Sequence, residues 1–140
     1  MKRVLFCKAC GSPLTPALTV VSEKTPGIAP PKLFDGRSPT PRGTVFESYR
    51  PWHTSPRGKA GHLHILPQMW MGLDDLLGEP RYTPLVKRLN GCCGLDGCDG
   101  PNRLCQCGAH IGTELSDCWT PRMFIPDPLE TEWRDVRDLS

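Results

Sequence analysis

The distribution of cysteine is the strongest constraint on how this chain can fold. Of its eight cysteines, six lie between Asn90 and Trp119, and the other two, Cys7 and Cys10, lie near the amino terminus. The 16 prolines and 14 glycines predict short, interrupted elements around a small apolar core. A small domain of this kind usually needs a cross-link, and cysteine can supply it as disulfides or as metal ligands.

The choice between disulfides and a metal depends on the compartment. Near the amino terminus the only apolar run before Cys7 is Val4, Leu5 and Phe6, whereas a signal peptide needs an apolar core of about 7–15 residues. No run approaches the roughly 18 apolar residues of a membrane helix. We therefore expect a cytoplasmic protein without a membrane segment, whose thiols stay reduced and bind metal.

Two short cysteine motifs have the same layout. In each, an apolar residue precedes two cysteines around a short spacer, then come a glycine and a β-prone run. In a metal knuckle the backbone N–H groups turn towards the sulfurs, and the glycine supplies the positive φ that this turn needs. Two such knuckles facing each other would supply four thiolates to a tetrahedral zinc ion. The predicted zinc ligands are Cys7, Cys10, Cys105 and Cys107.

This layout resembles a zinc ribbon with a very long insertion between Cys10 and Cys105. The resemblance covers the two knuckles and implies a structural zinc. It implies no particular activity, because zinc ribbons occur in proteins of many functions. The Cys-Cys-Gly segment followed by Asp-Cys-Trp also resembles segments of small uncharacterised bacterial proteins, and this second resemblance implies no activity either.

The remaining cysteines allow several interpretations. The candidate ligands of an alternative or second metal site are Cys92, Cys93, Cys118 and His110: either Cys92 or Cys93 could bind an ion together with Cys98, Cys118 and His110 or an aspartate. Cys92 and Cys93 are not expected to bind one ion together, because neighbouring side chains in extended chain point apart. The alternatives are buried free cysteines, which pack like small apolar residues, and a reactive thiol pair. No lysine, arginine or histidine stands beside that pair in the sequence to lower its pKa.

Enzymatic alternatives depend on histidine. His62 and His64 would share one face of a strand, and with His53 they could bind a catalytic zinc, which needs three protein ligands and a water. No glutamate follows at a useful spacing, and a site closed by four cysteines has no open position.

We therefore predict a non-enzymatic binding or adaptor module with a structural zinc. The alternatives are a zinc-dependent hydrolase, a thiol redox protein using Cys92 and Cys93, and a nucleic-acid-binding zinc ribbon. The net charge of +2 does not favour nucleic acid, so we expect a protein partner.

The predicted fold is a small β-rich α+β domain over residues 1–140. The knuckle pair joins the amino-terminal and carboxyl-terminal segments, with a long irregular insertion between them. Residues 23–43 form a proline-rich loop and residues 90–119 the cysteine-rich metal-binding segment. Helical spacing and capping residues predict two short helices, Met69–Leu77 and one beginning at Asp127. The predicted strands are Arg3–Phe6, Leu14–Val21, Thr44–Tyr49, His62–Leu66 and Arg122–Ile125.

Overall fold

The computed structural model describes residues 1–52, 63 and 65–139. Nine strands and three short 3-10 helices occur in this part of the chain. The strands are β1 Lys2–Cys7, β2 Leu18–Ser22, β3 Thr44–Ser48, β4 Gln68–Met71, β5 Arg81–Tyr82, β6 Arg103–Leu104, β7 His110–Leu115, β8 Met123–Pro126 and β9 Thr131–Asp135. The 3-10 helices are Leu73–Asp75, Val86–Arg88 and Val136–Leu139.

All these strands belong to one curled sheet that forms a half-barrel, in the order β5-β6-β7-β8-β4-β3-β2-β1-β9. Neighbouring strands are antiparallel, except that β2 and β3 are parallel. The two ends of the chain are joined in this sheet, because β9 pairs with β1 from Arg3↔Asp135 to Cys7↔Thr131. The start of the first cysteine motif is therefore held by the last strand.

Two apolar clusters lie on opposite faces of the sheet. Successive side chains of a strand point to opposite faces, and Val45 and Phe46 accordingly belong to different clusters. The same holds for Met71 and Trp70 of β4. The first cluster includes the buried cysteines Cys7 and Cys105, so the cysteine motifs are anchored in the core of one face.

The expectation of a mostly β-stranded small domain with few helices is confirmed. The described residues of the long insertion between the knuckles are largely turns and irregular structure, but the insertion also supplies β2 to β6 of the sheet. These strands are difficult to predict because they are short, are separated by long loops that contain proline and glycine, and pair with segments that are not adjacent in sequence. The proline-rich residues 23–43 do form turns and irregular structure.

The predicted helix Met69–Leu77 is wrong. Gln68–Met71 is the central strand β4, paired on one side with β3 and on the other with β8. All its residues are buried, so its sequence lacks the polar alternation that marks a half-exposed strand. Only Leu73–Asp75 is helical, as a single 3-10 turn after Gly72.

The predicted final helix is also wrong. Asp127 behaves as a capping residue, and its Oδ1 accepts a hydrogen bond of 2.9 Å from the N–H of Leu129. The turn it begins ends at Thr131, which starts β9. Aspartate followed by proline favours tight turns as well as helix starts. The open edge of β1 decides between them, because it provides β9 with a full set of backbone partners.

Candidate metal centres

The first cysteine motif forms a tight knuckle at the end of β1. The Gly11 N–H donates to the Cys7 carbonyl at 2.8 Å, and the Cys7 N–H donates to the Ser12 carbonyl at 3.0 Å. Gly11 has a φ of 75°, which is the left-handed conformation that favours glycine. The turn aims the N–H groups of Ala9 and Cys10 at the Cys7 sulfur, where they favour its thiolate.

The second motif repeats this geometry between β6 and β7. The Gly108 N–H donates to the Cys105 carbonyl at 2.9 Å, and the Cys105 N–H donates to the Ala109 carbonyl at 2.9 Å. Gly108 has a φ of 93°. The Cys107 N–H points to the Cys105 sulfur, as in the first knuckle. A one-residue spacer therefore forms the same kind of turn as the two-residue spacer.

The two knuckles bring their four sulfurs together, and we call Cys7, Cys10, Cys105 and Cys107 the first cluster. All four Sγ atoms lie within 4.8 Å of one another. The Cys7–Cys107 and Cys10–Cys105 sulfurs are each 3.6 Å apart. A tetrahedral zinc with bonds of about 2.3 Å requires sulfur separations of about 3.8 Å. The geometry therefore fits a tetrathiolate site, while the assignment of these residues as ligands stays a prediction.

Burial and hydrogen bonding divide the first cluster into two kinds of thiol. Cys7 and Cys105 are buried, and burial raises the pKa of Cys7 and raises the pKa of Cys105 to about 12. Cys10 is exposed, and hydrogen bonds from the Ser12 hydroxyl and N–H lower its pKa to about 6. A metal ion would have to displace protons from the buried pair, while the lowered pKa of Cys10 favours its thiolate.

A second cluster consists of Cys92, Cys93 and Cys118, whose sulfurs also lie within 4.8 Å of one another. The expectation that Cys92 and Cys93 point apart is wrong, because the chain is not extended there. Gly91 and Gly94 fold it into a turn so tight that a Cβ on Gly91 would stand 1.7 Å from the Gly94 carbonyl oxygen. Both thiols therefore reach the same side as Cys118.

Asp117 fixes the backbone of the second cluster. Its carboxylate accepts hydrogen bonds from the N–H groups of Cys92 at 3.2 Å, Cys93 at 2.9 Å and Cys118 at 2.8 Å. These bonds lower the pKa of Asp117, so the carboxylate stays ionised. One buried aspartate thus holds two separate segments of the chain in register.

The pKa values in the second cluster do not favour a redox nucleophile. Hydrogen bonding with Cys93 is the main cause that raises the pKa of Cys92 and raises the pKa of Cys118 to about 12. A thiol that attacks disulfides readily has a pKa near or below neutral pH. The raised pKa of Cys92 weakens the case for this thiol as the attacking member of a Cys92–Cys93 redox pair.

Other residues proposed from the sequence lie elsewhere. His110, on β7, does not group with the sulfurs of the second cluster, and its Nε2 lies 2.8 Å from the hydroxyl of Thr83, which directly follows β5. Cys98 is buried, and its N–H donates to Asp96 Oδ1 at 2.9 Å. Neither belongs to a group of three or more potential ligands in the described residues. The proposed histidines His53, His62 and His64 lie outside the described residues.

A large open groove lies beside the second cluster and was not predicted from the sequence. It encloses about 1140 Å³, and Cys93 stands on its wall together with Arg42, Arg81 and Arg122. Its acidic lining residues include Asp74, Glu79 and Glu114. No local pattern marks it in the sequence, because its lining residues come from segments that are far apart along the chain.

A buried ion pair forms one wall of this groove. Arg103 and Glu114 are buried, with Nη1 and Oε1 2.5 Å apart. Glu114 also accepts hydrogen bonds from the Tyr82 hydroxyl at 3.1 Å and the Ser116 hydroxyl at 2.6 Å. The Arg103 Nε donates to the Pro80 carbonyl at 3.0 Å. The network fixes β5, β6 and β7 to one another, which gives the groove a rigid side.

Sequence and structure comparisons with known proteins identify no relative, so a function can be argued only from the geometry of the site. The chain matches no protein-family model, and no similar protein was found among curated proteins or solved structures. The zinc-ribbon resemblance therefore stays a prediction from the knuckles. In the part of the chain that the structure describes, every helix is too short or too polar to cross a membrane.

Proposed function

We propose that this chain is a non-enzymatic binding module whose fold is closed by a structural zinc ion in the first cluster. The observation that supports it is the convergence of two knuckles, 95 to 100 positions apart, into one set of four thiols. Such a site suits a reducing compartment, and we place the protein in the cytoplasm.

The donor set argues for a structural zinc. Soft thiolates select zinc, copper(I) or iron–sulfur clusters, and four thiolates from two short knuckles are typical of structural zinc. All four coordination positions would come from the protein, so no water could be activated at this ion.

The groove is the surface that we assign to the partner. Arginine and tyrosine are enriched in protein interfaces, and Arg42, Arg81 and Tyr82 all line it. Asp74 and Glu79 lie on the same surface and would repel phosphates. A peptide or protein with mixed charge fits this lining better than a nucleic acid.

Absorption spectroscopy at the zinc edge tests the structural assignment. We would use a variant in which Cys92, Cys93 and Cys118 are all serine, so that only the first cluster can bind zinc. The expected first shell is four sulfurs near 2.3 Å with no oxygen or nitrogen. A shell containing a water oxygen would contradict a closed structural site.

Charge reversal tests the role of the groove. A photo-crosslinking residue placed at Leu89 should capture the same cellular protein repeatedly, and Arg42→Glu with Arg81→Glu should abolish capture while zinc content stays normal. Lys2→Glu, an exposed charge change on β1 outside the groove, is the matched control and should leave capture intact. Capture of nucleic acid instead, with an affinity that falls steeply with salt, would favour the nucleic-acid-binding alternative.

A further inference from the structure

The second cluster has the construction of a binding site. Its three thiols come from two segments 25 positions apart, and the turn that presents two of them permits only glycine at its ends. A Cβ on Gly94 would stand 2.3 Å from the Ser116 carbonyl oxygen, so this turn is pressed against the segment that carries Cys118. Sulfur convergence therefore results from backbone packing and does not depend on side-chain rotation alone.

Asp117 supplies the supporting shell that metal sites need. It is 4% exposed and binds the backbone N–H of each cysteine in the second cluster. Loss of a group that orients the ligands in this way typically lowers metal affinity about 10- to 100-fold. Because its oxygens accept three backbone hydrogen bonds, this carboxylate acts as a support and leaves coordination to the sulfurs.

In the described part of the chain, this cluster offers three ligands to a metal ion. No fourth histidine, cysteine or carboxylate among them groups with these sulfurs. All three cysteines are exposed, in contrast to the two buried members of the first cluster. Cys93 also lies on the wall of the groove. An ion held here would thus have one side open to solvent and to the groove.

We propose that Cys92, Cys93 and Cys118 bind a second zinc ion through three thiolates, and that its fourth coordination position is held by an exchangeable ligand from solvent or from the groove. Zinc sites with three protein ligands keep the fourth position for a water or a bound molecule. The two clusters therefore have different tasks, the first closing the fold and the second presenting an accessible metal to the groove.

Cobalt(II) provides the test, because its colour reports both thiolate ligation and the coordination shell. The metal-free, reduced, full-length protein would first receive one equivalent of zinc, which the four-thiolate cluster should take, and then cobalt. We expect one equivalent of cobalt to bind with thiolate charge-transfer bands and tetrahedral d–d bands. Addition of imidazole or mercaptoethanol should shift the d–d bands, because each can replace the fourth ligand.

Variants separate this proposal from a structural effect. Cys118→Ser should lose the cobalt signal but keep the first zinc and the circular dichroism spectrum. The control Cys98→Ser, also in the cysteine-rich segment 90–119, should keep the cobalt signal, the first zinc and the spectrum. Asp117→Asn should weaken cobalt binding about 10- to 100-fold while all three thiols remain. Failure of the proposed function would appear separately, as loss of the first zinc in the unmodified chain.

Four results would overturn the proposal. Cobalt binding by Cys118→Ser as tight as in the unmodified chain would exclude this ligand set. A cobalt spectrum that does not change when either ligand is added would show a site without an open position. A fourth protein ligand in the cobalt-edge absorption spectrum would show the same. Binding of copper(I) alone, with neither zinc nor cobalt retained, would replace the open zinc site by a three-coordinate one.

Discussion

Replacing Cys10 by serine removes the proposed zinc cross-link with the least disturbance of the core. Cys10 is exposed, so its substitution leaves no cavity, whereas Cys7 and Cys105 are buried in an apolar cluster. Serine is a poor zinc ligand, and the remaining three thiols should release zinc when free zinc is buffered at a low level. The loss in stability should then report the metal alone.

The size of the effect follows from the length of chain that the ion closes. The first cluster joins positions 95 to 100 apart, and cross-linking a loop of about 100 residues restricts the unfolded chain by about 4.7 kcal/mol. Domains are stable by about 5–15 kcal/mol, so this is a third or more of the total. With an m-value of about 2 kcal/mol per molar urea, the unfolding midpoint should fall by about 2 M.

Urea unfolding with buffered zinc and with excess chelator, under reducing conditions, measures this effect. Cys10→Ser should reduce the free energy of unfolding in zinc and have little effect in chelator. Cys98→Ser, which changes a cysteine outside both clusters, should keep the full difference between zinc and chelator. If Cys10→Ser keeps that difference too, the first cluster does not hold a stabilising metal.

Three further predictions concern the wall of the groove, the support of the second cluster and the protons released when zinc binds. Glu114→Gln should cost about 3–5 kcal/mol in urea unfolding because it leaves Arg103 buried without its partner, and Arg103→Met in the same chain should recover part of that loss. The pKa of Asp117 lies below its ordinary value, so its contribution to the free energy of unfolding is fully present above the pKa it has in the unfolded chain. That contribution disappears as the pH falls through its pKa in the folded protein. Asp117→Asn should therefore be less stable than the unmodified chain at pH 7, and the difference in stability should vanish in acid. Zinc binding at pH 7 should release at least two protons, because burial raises the pKa values of Cys7 and Cys105, and calorimetry in two buffers of different ionisation enthalpy counts them.

The knuckles and several strands could be predicted because their signals are local. The glycine that follows each cysteine pair, Gly11 or Gly108, is predicted to have a positive φ, and both have this conformation. Alternation identified β3 and a short apolar run identified β8, each within one residue of its observed bounds. In these segments the local preference and the final environment agree.

The errors arise where distant pairing decides the structure. Gln68–Met71 is a strand because β3 and β8 lie on either side, and Thr131–Asp135 is a strand because β1 offers an edge. Neither partner can be read from the segment itself. The second cluster was misjudged partly for the same reason, because Gly94 lies against the carbonyl oxygen of Ser116, which is distant in sequence.

The central claim is that the first cluster holds a structural zinc, and one measurement addresses it most directly. The variant with Cys92, Cys93 and Cys118 all changed to serine would be purified under reducing conditions, and its zinc content and reactive thiols would be counted before and after chelation. We predict one zinc per chain and four thiols, counted apart from Cys98, that become reactive only when chelator removes it. Absence of metal, with the four thiols of Cys7, Cys10, Cys105 and Cys107 reacting at once, would contradict the account.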